Sequence, residues 1–293
     1  MRTALIAGGD SRIGAAVARR LAEQGWKVLA TTRHKERVTP DRPWLDLESC
    51  TEAMPSLPSC AICLIAAAAV KIDECRRDPA ATRRVNVAGT AAVAGWVAQQ
   101  QGFTLLLSTN QVFDGSRPLC KIEDAVCPLT DYGRQKADAE AAILAGDGHA
   151  AVLRLTKLLA PDAPLLQGWL AAWRRNQPVT AFRDMTIAPV TLPQTVEAIT
   201  LLLTGRAAGL HHFSGDRDVS YLAIARELAA RAGIDPALVQ DSSFRDAGIP
   251  PEFAPRHTTL DCRDLRAWQV TPLTSAQCLD QVLGQALAVA VPP

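Results

Sequence analysis

The chain has 293 residues, 48% of them apolar and 21% charged, with 31 basic against 30 acidic side chains and a formal net charge of +1. That is enough chain for a large core or about two domains, and its apolar content excludes a disordered protein. The balanced charge argues against a nucleic-acid surface, and eight cysteines, of which only Cys60 and Cys63 have a CxxC spacing and sit in an apolar run, together with no signal-peptide pattern, read as reduced thiols in a cytoplasm rather than a zinc ribbon or redox dithiol.

In chain order, an apolar strand over 3–7 is followed by Gly8, Gly9 and Gly14, and by an amphipathic helix over 13–24 stopped by Gly25. Residues 26–31 read as a second strand, so the chain opens on a βαβ unit. The longest apolar stretch, 61–70, is half a bilayer crossing, so no membrane span is expected. Its first part, 61–67, reads as a strand without alternation, buried on both faces. Pro79 suits the first turn of a helix running through Val85, Val93 and Val97 to Gly102. A strand over 103–107 enters a polar turn at 108–110. A helix follows over 132–144, with Gly146 and Gly148 beyond it, and then a strand over 151–155. The fold class is therefore α/β: a Rossmann-type doubly wound parallel sheet, assigned to residues 1–157. The remainder, 158–293, reads as a smaller mixed C-terminal region, mainly substrate-binding, with 184–210 returning to pack on the sheet. It holds helices over 165–175, 193–203, 221–232 (capped by Ser220) and 275–289, and strands over 178–181 and 209–214.

The turn Gly8-Gly9-Asp10-Ser11-Arg12-Ile13-Gly14 joins the first strand to the first helix. Gly8 suits a tight turn, Gly14 a close helix–sheet approach, and the free amides at the helix start favour a pyrophosphate. Ser11 stands where a GxxGxxG pattern has its middle glycine. The second strand ends Thr31-Thr32-Arg33-His34-Lys35, with no acid for the ribose hydroxyls of NAD. Arg33, Lys35 and Arg12 suit a 2′-phosphate instead, so NADP(H) is preferred and NAD(H) is possible; the same three also read as solvated surface charges. Asp46, beside Leu47, either meets the adenine or caps a helix.

Tyr132 and Lys136 lie four apart on a predicted helix and share one face. A nearby ammonium lowers a phenol's pKa, and the phenol can give a proton to a carbonyl oxygen as hydride reaches the carbon. Ser108 and Thr109 end a buried strand at the sheet edge where ligands bind, and a hydroxyl there can hold the same oxygen. Arg154 and Arg183 read either as ligand contacts or as ion-pair partners. His211 and His212 point to opposite faces of a strand, poor geometry for one metal. Cys60 and Cys63 read as buried hydrophobes, and Trp169 and Trp173 as one packed helix face.

These separated motifs resemble the extended short-chain dehydrogenase/reductase superfamily, and within it most the dTDP-4-dehydrorhamnose reductase family. The segment from Ser108 through Asn110, Gln111, Phe113 and Asp114 to Gly115 is similar to its STDYVFDG motif, with Asn110-Gln111 in place of Asp-Tyr. Ala66, Ala67 and Ala68 followed by Ile72-Asp73 resemble AAAxxxVD, with Ile65 and Ala69 where the family has Asn and an aromatic. Pro79 and Val85-Asn86-Val87 resemble P…VNV, and Tyr132 and Lys136 match YxxxK. The resemblance implies Thr109 orienting a carbonyl, Tyr132 as proton donor, and Lys136 supporting the phenol and the nicotinamide ribose. It implies that the three alanines line the cofactor and that Asn86 fixes the active-site backbone. A nucleotide sugar, or another small carbonyl substrate, would meet Ser108, Asn110, Gln111 and Phe113. The expected activity is NADPH-dependent reduction of a 4-keto nucleotide sugar, in a chain that is a homodimer by default. Another short-chain oxidoreductase, an epimerase or dehydratase, or a cofactor-binding regulator without turnover carries the same motifs.

Overall fold

The computed structural model describes residues 2–146 and 149–290; Gly148 lies outside the described residues. Thr3–Ala7 (β1) is followed by Arg12–Glu23 (α1) and Lys27–Ala30 (β2), and after a long loop by Ile62–Ile65 (β3). Ile72–Arg77 (α2) and Pro79–Arg83 (α3) lead through a π-helical turn, Arg84–Gly89, into Thr90–Gln99 (α4). Phe103–Thr109 (β4), Asp131–Leu144 (α5) and Ala150–Leu155 (β5) complete the first half. The second half contains Pro164–Arg174 (α6), Val179–Phe182 (β6), Thr186–Ile187 (β7), Leu192–Thr204 (α7), Gly209–Phe213 (β8), Val219–Ser220 (β9), Tyr221–Arg231 (α8), Val239–Ser242 (β10) and Ser275–Ala290 (α9).

Six parallel strands form the central sheet in the order β2-β1-β3-β4-β5-β8. All four residues of β3 are buried because helices cover both faces, which is why this strand shows no alternation. On one face Ile6, Leu64 and Leu105 pack with Val17 and Leu21 of α1 and with Ile199 and Leu202 of α7. On the other Leu5, Cys63 and Leu106 pack with Val93 and Val97 of α4 and with Ile143 of α5. Helix α7 and strand β8 thus return from the second half to the sheet. A separate core joins Trp169 and Trp173 of α6, Leu228 of α8 and Leu283 of α9, roofing the small β6–β10 pair. The tryptophan rings lie 6.4 Å apart within it, as packing residues.

Three local features differ from the sequence-based expectation. Ser108 and Thr109 belong to β4, whose ladder continues to Thr109↔Leu155, so the polar turn begins two residues later than hydropathy suggests. The helix after Pro79 is interrupted by the π turn that carries Asn86. Strands β7, β9 and β10 are short or half-exposed and leave little periodic signal. Among the described residues no helix is long and apolar enough to cross a membrane. The strand order reverses between β1 and β3, and the crevice outside their C-terminal ends is where open α/β sheets bind ligands.

Candidate active site

The glycine turn occupies that crevice. Gly8 has φ +101°, and a Cβ there would lie 2.6 Å from the Ala67 amide nitrogen. The amides of Ala66 and Ala67 both donate to the Ala7 carbonyl, at 2.8 and 2.9 Å, which locks the end of β3 against the turn. Ala68 follows, half-buried. Ser11 caps α1: its hydroxyl accepts from the Gly14 amide at 3.0 Å and donates to the Gly8 carbonyl at 2.8 Å. Its side chain thus takes up one helix-start amide, while those of Arg12 and Ile13 have no acceptor among the described residues. A Cβ on Gly14 would fall 2.2 Å from the Gly8 oxygen. Gly14→Ala is therefore expected to force the turn open, costing about 1–3 kcal/mol of stability and weakening dinucleotide binding in a fluorescence titration.

At the end of β2 the structure redistributes the expected roles. Arg12 does not face the β2 end; its guanidinium grips Asp162 at 2.5 and 2.9 Å, tying the glycine turn to the loop after β5. Arg33 is exposed and makes no ion pair among the described residues. Lys35 lies 5.8 Å over the Trp44 ring. Asp46 braces its own loop, accepting from the Glu48 amide at 3.3 Å and from the Ser49 hydroxyl at 3.4 Å, while the short helical turn Ser49–Thr51 that follows has no side-chain cap. Leu47 is buried in the core beneath β1 and β3, and its side chain packs there. The cations gathered here that the sequence did not single out are Arg37 and Arg42, both directed at Asp10.

Helix α5 starts on the Thr130 cap, whose hydroxyl accepts from the Gly133 amide at 3.0 Å. It carries Tyr132, Lys136 and Glu140 at successive turns of one face, and each engages the end of β4. The Thr109 hydroxyl lies beside the buried Tyr132 phenol, Lys136 Nζ donates to the Leu107 carbonyl at 2.6 Å, and Glu140 accepts from the Ser108 hydroxyl. Burial pushes the Tyr132 phenol well above its ordinary value, Cys75 adds to the rise, and the Thr109 hydrogen bond opposes it. Burial pulls the Lys136 ammonium down to about 8, with Glu140 opposing. The expected lowering of the phenol by Lys136 is not what this structure holds: desolvation governs Tyr132, and the ammonium is committed to a backbone carbonyl.

Ser108 and Arg154, expected at the substrate, are instead consumed inside the protein. Arg154 clasps Glu140 with Nε at 3.1 Å and Nη2 at 2.6 Å, both side chains being 4% exposed. Its Nη1 meets His212 Nε2 at 3.3 Å, and His212 Nδ1 meets the Asp261 carbonyl at 3.1 Å. Burial and then Arg154 lower His212 to about 4, so the imidazole is neutral. His211 on the opposite face meets Asp264 at 2.9 Å, and neither histidine joins a metal cluster among the described residues. Asn86 is fully buried and clamps the loop after β3: Ala69 donates to its Oδ1 at 2.8 Å, and its Nδ2 donates to Ala69 at 3.0 Å and to Gln135 of α5 at 2.8 Å. Cys60 and Cys63 are buried, with thiols pushed up by desolvation.

Beyond Thr109, Asn110, Gln111 and Phe113 line a narrow crevice closed by Glu252 and Pro255. The Thr109 hydroxyl accepts from the Gln111 amide at 3.2 Å, which leaves its own proton to donate. Gln111 Oε1 is buried without a partner among the described residues. Phe113 packs under Arg154, whose guanidinium carbon sits 5.0 Å from the ring centre. Next to this crevice, across the 251–257 segment, lies a cavity of about 930 Å³. Arg183, Arg217, Arg245, Arg256, Phe244 and His257 line it. Arg183 reaches the cavity while paired with Asp241 at 3.0 Å rather than with Asp184. The sequence signals missed here are local: Glu140 lies one further turn along the Tyr132–Lys136 face, and the cavity arginines other than Arg183 sit in loops without periodicity.

Glycine turn, inner alanines and the Tyr-Lys face on one parallel sheet define a Rossmann-fold protein of the short-chain dehydrogenase/reductase type. The chain belongs to the RmlD substrate binding domain family, matched over residues 1–286. It is 26% identical to a probable low-salt glycan biosynthesis reductase of Haloferax volcanii, covering 88% of this chain and 89% of the relative. It is 25% identical to the methionine adenosyltransferase 2 subunit beta of Xenopus laevis, covering 90% and 81%. Its fold matches a dTDP-4-dehydrorhamnose reductase of Bacillus anthracis, solved in complex with NADP, with a TM-score of 0.79 at 16% identity over 97% of this chain and 99% of that one.

Proposed function

We propose that this protein is an NADPH-dependent reductase of a 4-keto nucleotide sugar. The observation that carries this reading is the convergence of Tyr132, Lys136 and Thr109 at the sheet edge beside the glycine turn. The residues present fit the cofactor: Gly8 and Gly14 let the turn pack tightly against Ala67 and the helix start, two helix-start amides are free, and arginines gather at the end of β2. When bound, the dinucleotide supplies a hydride to the ketone carbon. Thr109 donates a hydrogen bond to the ketone oxygen. Tyr132 transfers its phenolic proton to that oxygen, and the phenolate left behind is balanced by the Lys136 ammonium one turn along the helix. Asn86 braces α5 through the Gln135 side chain, and Glu140 braces the end of β4 through the Ser108 hydroxyl.

The arginine-lined cavity suits the other half of the substrate. Guanidinium forks match a diphosphate. Gln111 Oε1, buried and unpartnered, is placed to accept from a sugar hydroxyl. The Bacillus anthracis and Haloferax volcanii proteins, both named as reductases, support this direction. Assay with NADPH and NADH across a panel of 4-keto nucleotide sugars is expected to give steady NADPH consumption with at least one. The likeness to the methionine adenosyltransferase subunit supports a second reading, a regulator that binds the cofactor without turnover. NADPH binding with no consumption on any panel member, or on other keto sugars, decides for that second reading.

A further inference from the structure

An acid at the end of β2 is what a site for NAD requires, and residues 31–35 contain none. In the folded chain the glycine turn supplies it. The Asp10 carboxylate accepts from the Thr32 hydroxyl at 2.7 Å, so an acidic group stands at the β2 end although it comes from a different segment. That acid is covered. Arg42 donates to the same carboxylate, and Arg37 lies 3.6 Å from it. Arg42 is delivered by a built turn: residues 39 and 42 exchange amide–carbonyl bonds at 3.1 and 2.9 Å. The following residues run beside Thr32, whose amide donates to Pro43 at 3.1 Å and whose carbonyl accepts from Leu45 at 3.0 Å. The Arg42 Nε is buried and has no acceptor among the described residues, so this guanidinium holds an unused donor. Burial works to raise Asp10, but the hydrogen bonds from Thr32 and Arg42 outweigh it and hold the carboxyl below its usual range.

We propose that Asp10 and Arg42 together select the cofactor: Arg42 receives the 2′-phosphate, and Asp10 orients Arg42 and is the acid that would hold free ribose hydroxyls once Arg42 is gone. This rests on the dinucleotide reading above and adds to it which residues decide between the two forms. The physical reason is charge. A bare carboxylate at this position repels a phosphate and accepts from hydroxyls. A carboxylate covered by two guanidinium groups leaves a net positive site with donors suited to phosphate. Arg33, exposed and without an ion pair among the described residues, then contributes only a screened long-range attraction.

The test needs no turnover. Dissociation constants for 2′,5′-ADP and for ADP, and for NADPH and NADH, are measured by calorimetry on the full chain and on Arg42→Gln, Asp10→Asn and Arg33→Gln, with melting curves confirming that each variant is folded. The native chain is expected to prefer 2′,5′-ADP. Arg42→Gln is expected to lose that preference by roughly tenfold or more, the loss of a charge-assisted hydrogen bond, with ADP and NADH binding kept or improved. Adding Asp10→Asn to Arg42→Gln is expected to remove any gain in NADH affinity. An unchanged 2′,5′-ADP to ADP ratio in Arg42→Gln, or its abolition by Arg33→Gln alone, overturns the proposal. Binding of neither nucleotide by the native chain overturns both this proposal and the dinucleotide reading. Binding with the expected selectivity but without ketone reduction leaves the proposal standing and removes only the reductase.

Discussion

Glu140→Ala is expected to be the most destabilising single change at the site, by about 3–5 kcal/mol in urea or thermal unfolding, because it leaves the Arg154 guanidinium buried and unbalanced. The Glu140 and Arg154 side chains are each 4% exposed, and the only other side-chain hydrogen-bond partner of the guanidinium among the described residues is the neutral His212. Replacing both ends, as in Glu140→Met with Arg154→Met, removes the orphaned charge and is expected to recover most of the loss. If Arg154 is structural, as this pairing indicates, the double variant keeps a near-native KM for substrate; a large KM rise at full stability would return Arg154 to the ligand. The same network gives an acid limb. His212 falls from 6.5 to about 4 in the folded chain. Between those values the unfolded chain binds a proton that the folded chain refuses, so stability drops as pH falls through this window, by about 3 kcal/mol at most. A single variant that cost under about 1 kcal/mol would show that the pair relaxes into solvent.

The sheet was legible because its strands are short apolar runs set between helix periods, and burial on both faces leaves no alternation to misread: 61–67 was found as Ile62–Ile65 and 151–155 as Ala150–Leu155. Tyr132, Lys136 and the glycine turn were legible for the same reason, since each lies within one element and its spacing fixes its geometry. What the sequence hid is contact between elements. Arg12 reads as a phosphate ligand by position, but Asp162, 150 residues away, takes it. Arg154 reads equally as a crevice residue or an ion-pair partner, and strand register does not say that Glu140 faces it across the α5–β5 packing. The residues that directly follow β2 hold no acid at 31–35, whereas Asp10 stands at the β2 end from an earlier turn.

Tyr132→Phe is expected to lower kcat by about 10²–10⁴-fold, the range of a lost general acid, while dinucleotide affinity changes little because the phenyl ring keeps its packing. The pH dependence separates the roles of the helix face. The Tyr132 phenol is raised by burial, so it stays protonated through the neutral range and sets no limb there. Lys136 is pulled from 10.5 to about 8. Above that pH the neutral amine no longer balances the phenolate formed as Tyr132 gives up its proton, and the rate of ketone reduction is expected to fall by about tenfold per pH unit. Lys136→Met is expected to be slow at every pH and to lose this limb. Stability should move the other way. Between about 8 and 10.5 the unfolded chain holds a proton on Lys136 that the folded chain releases, so this residue's unfavourable contribution is present below pH 8 and relieved as pH rises. Activity that falls while the Lys136-dependent part of stability rises, both across the same window and both absent in Lys136→Met, ties the limb to this ammonium. Undiminished turnover in Tyr132→Phe would mean that the proton comes from another group, and the assignment of the α5 face to the chemical step would be wrong.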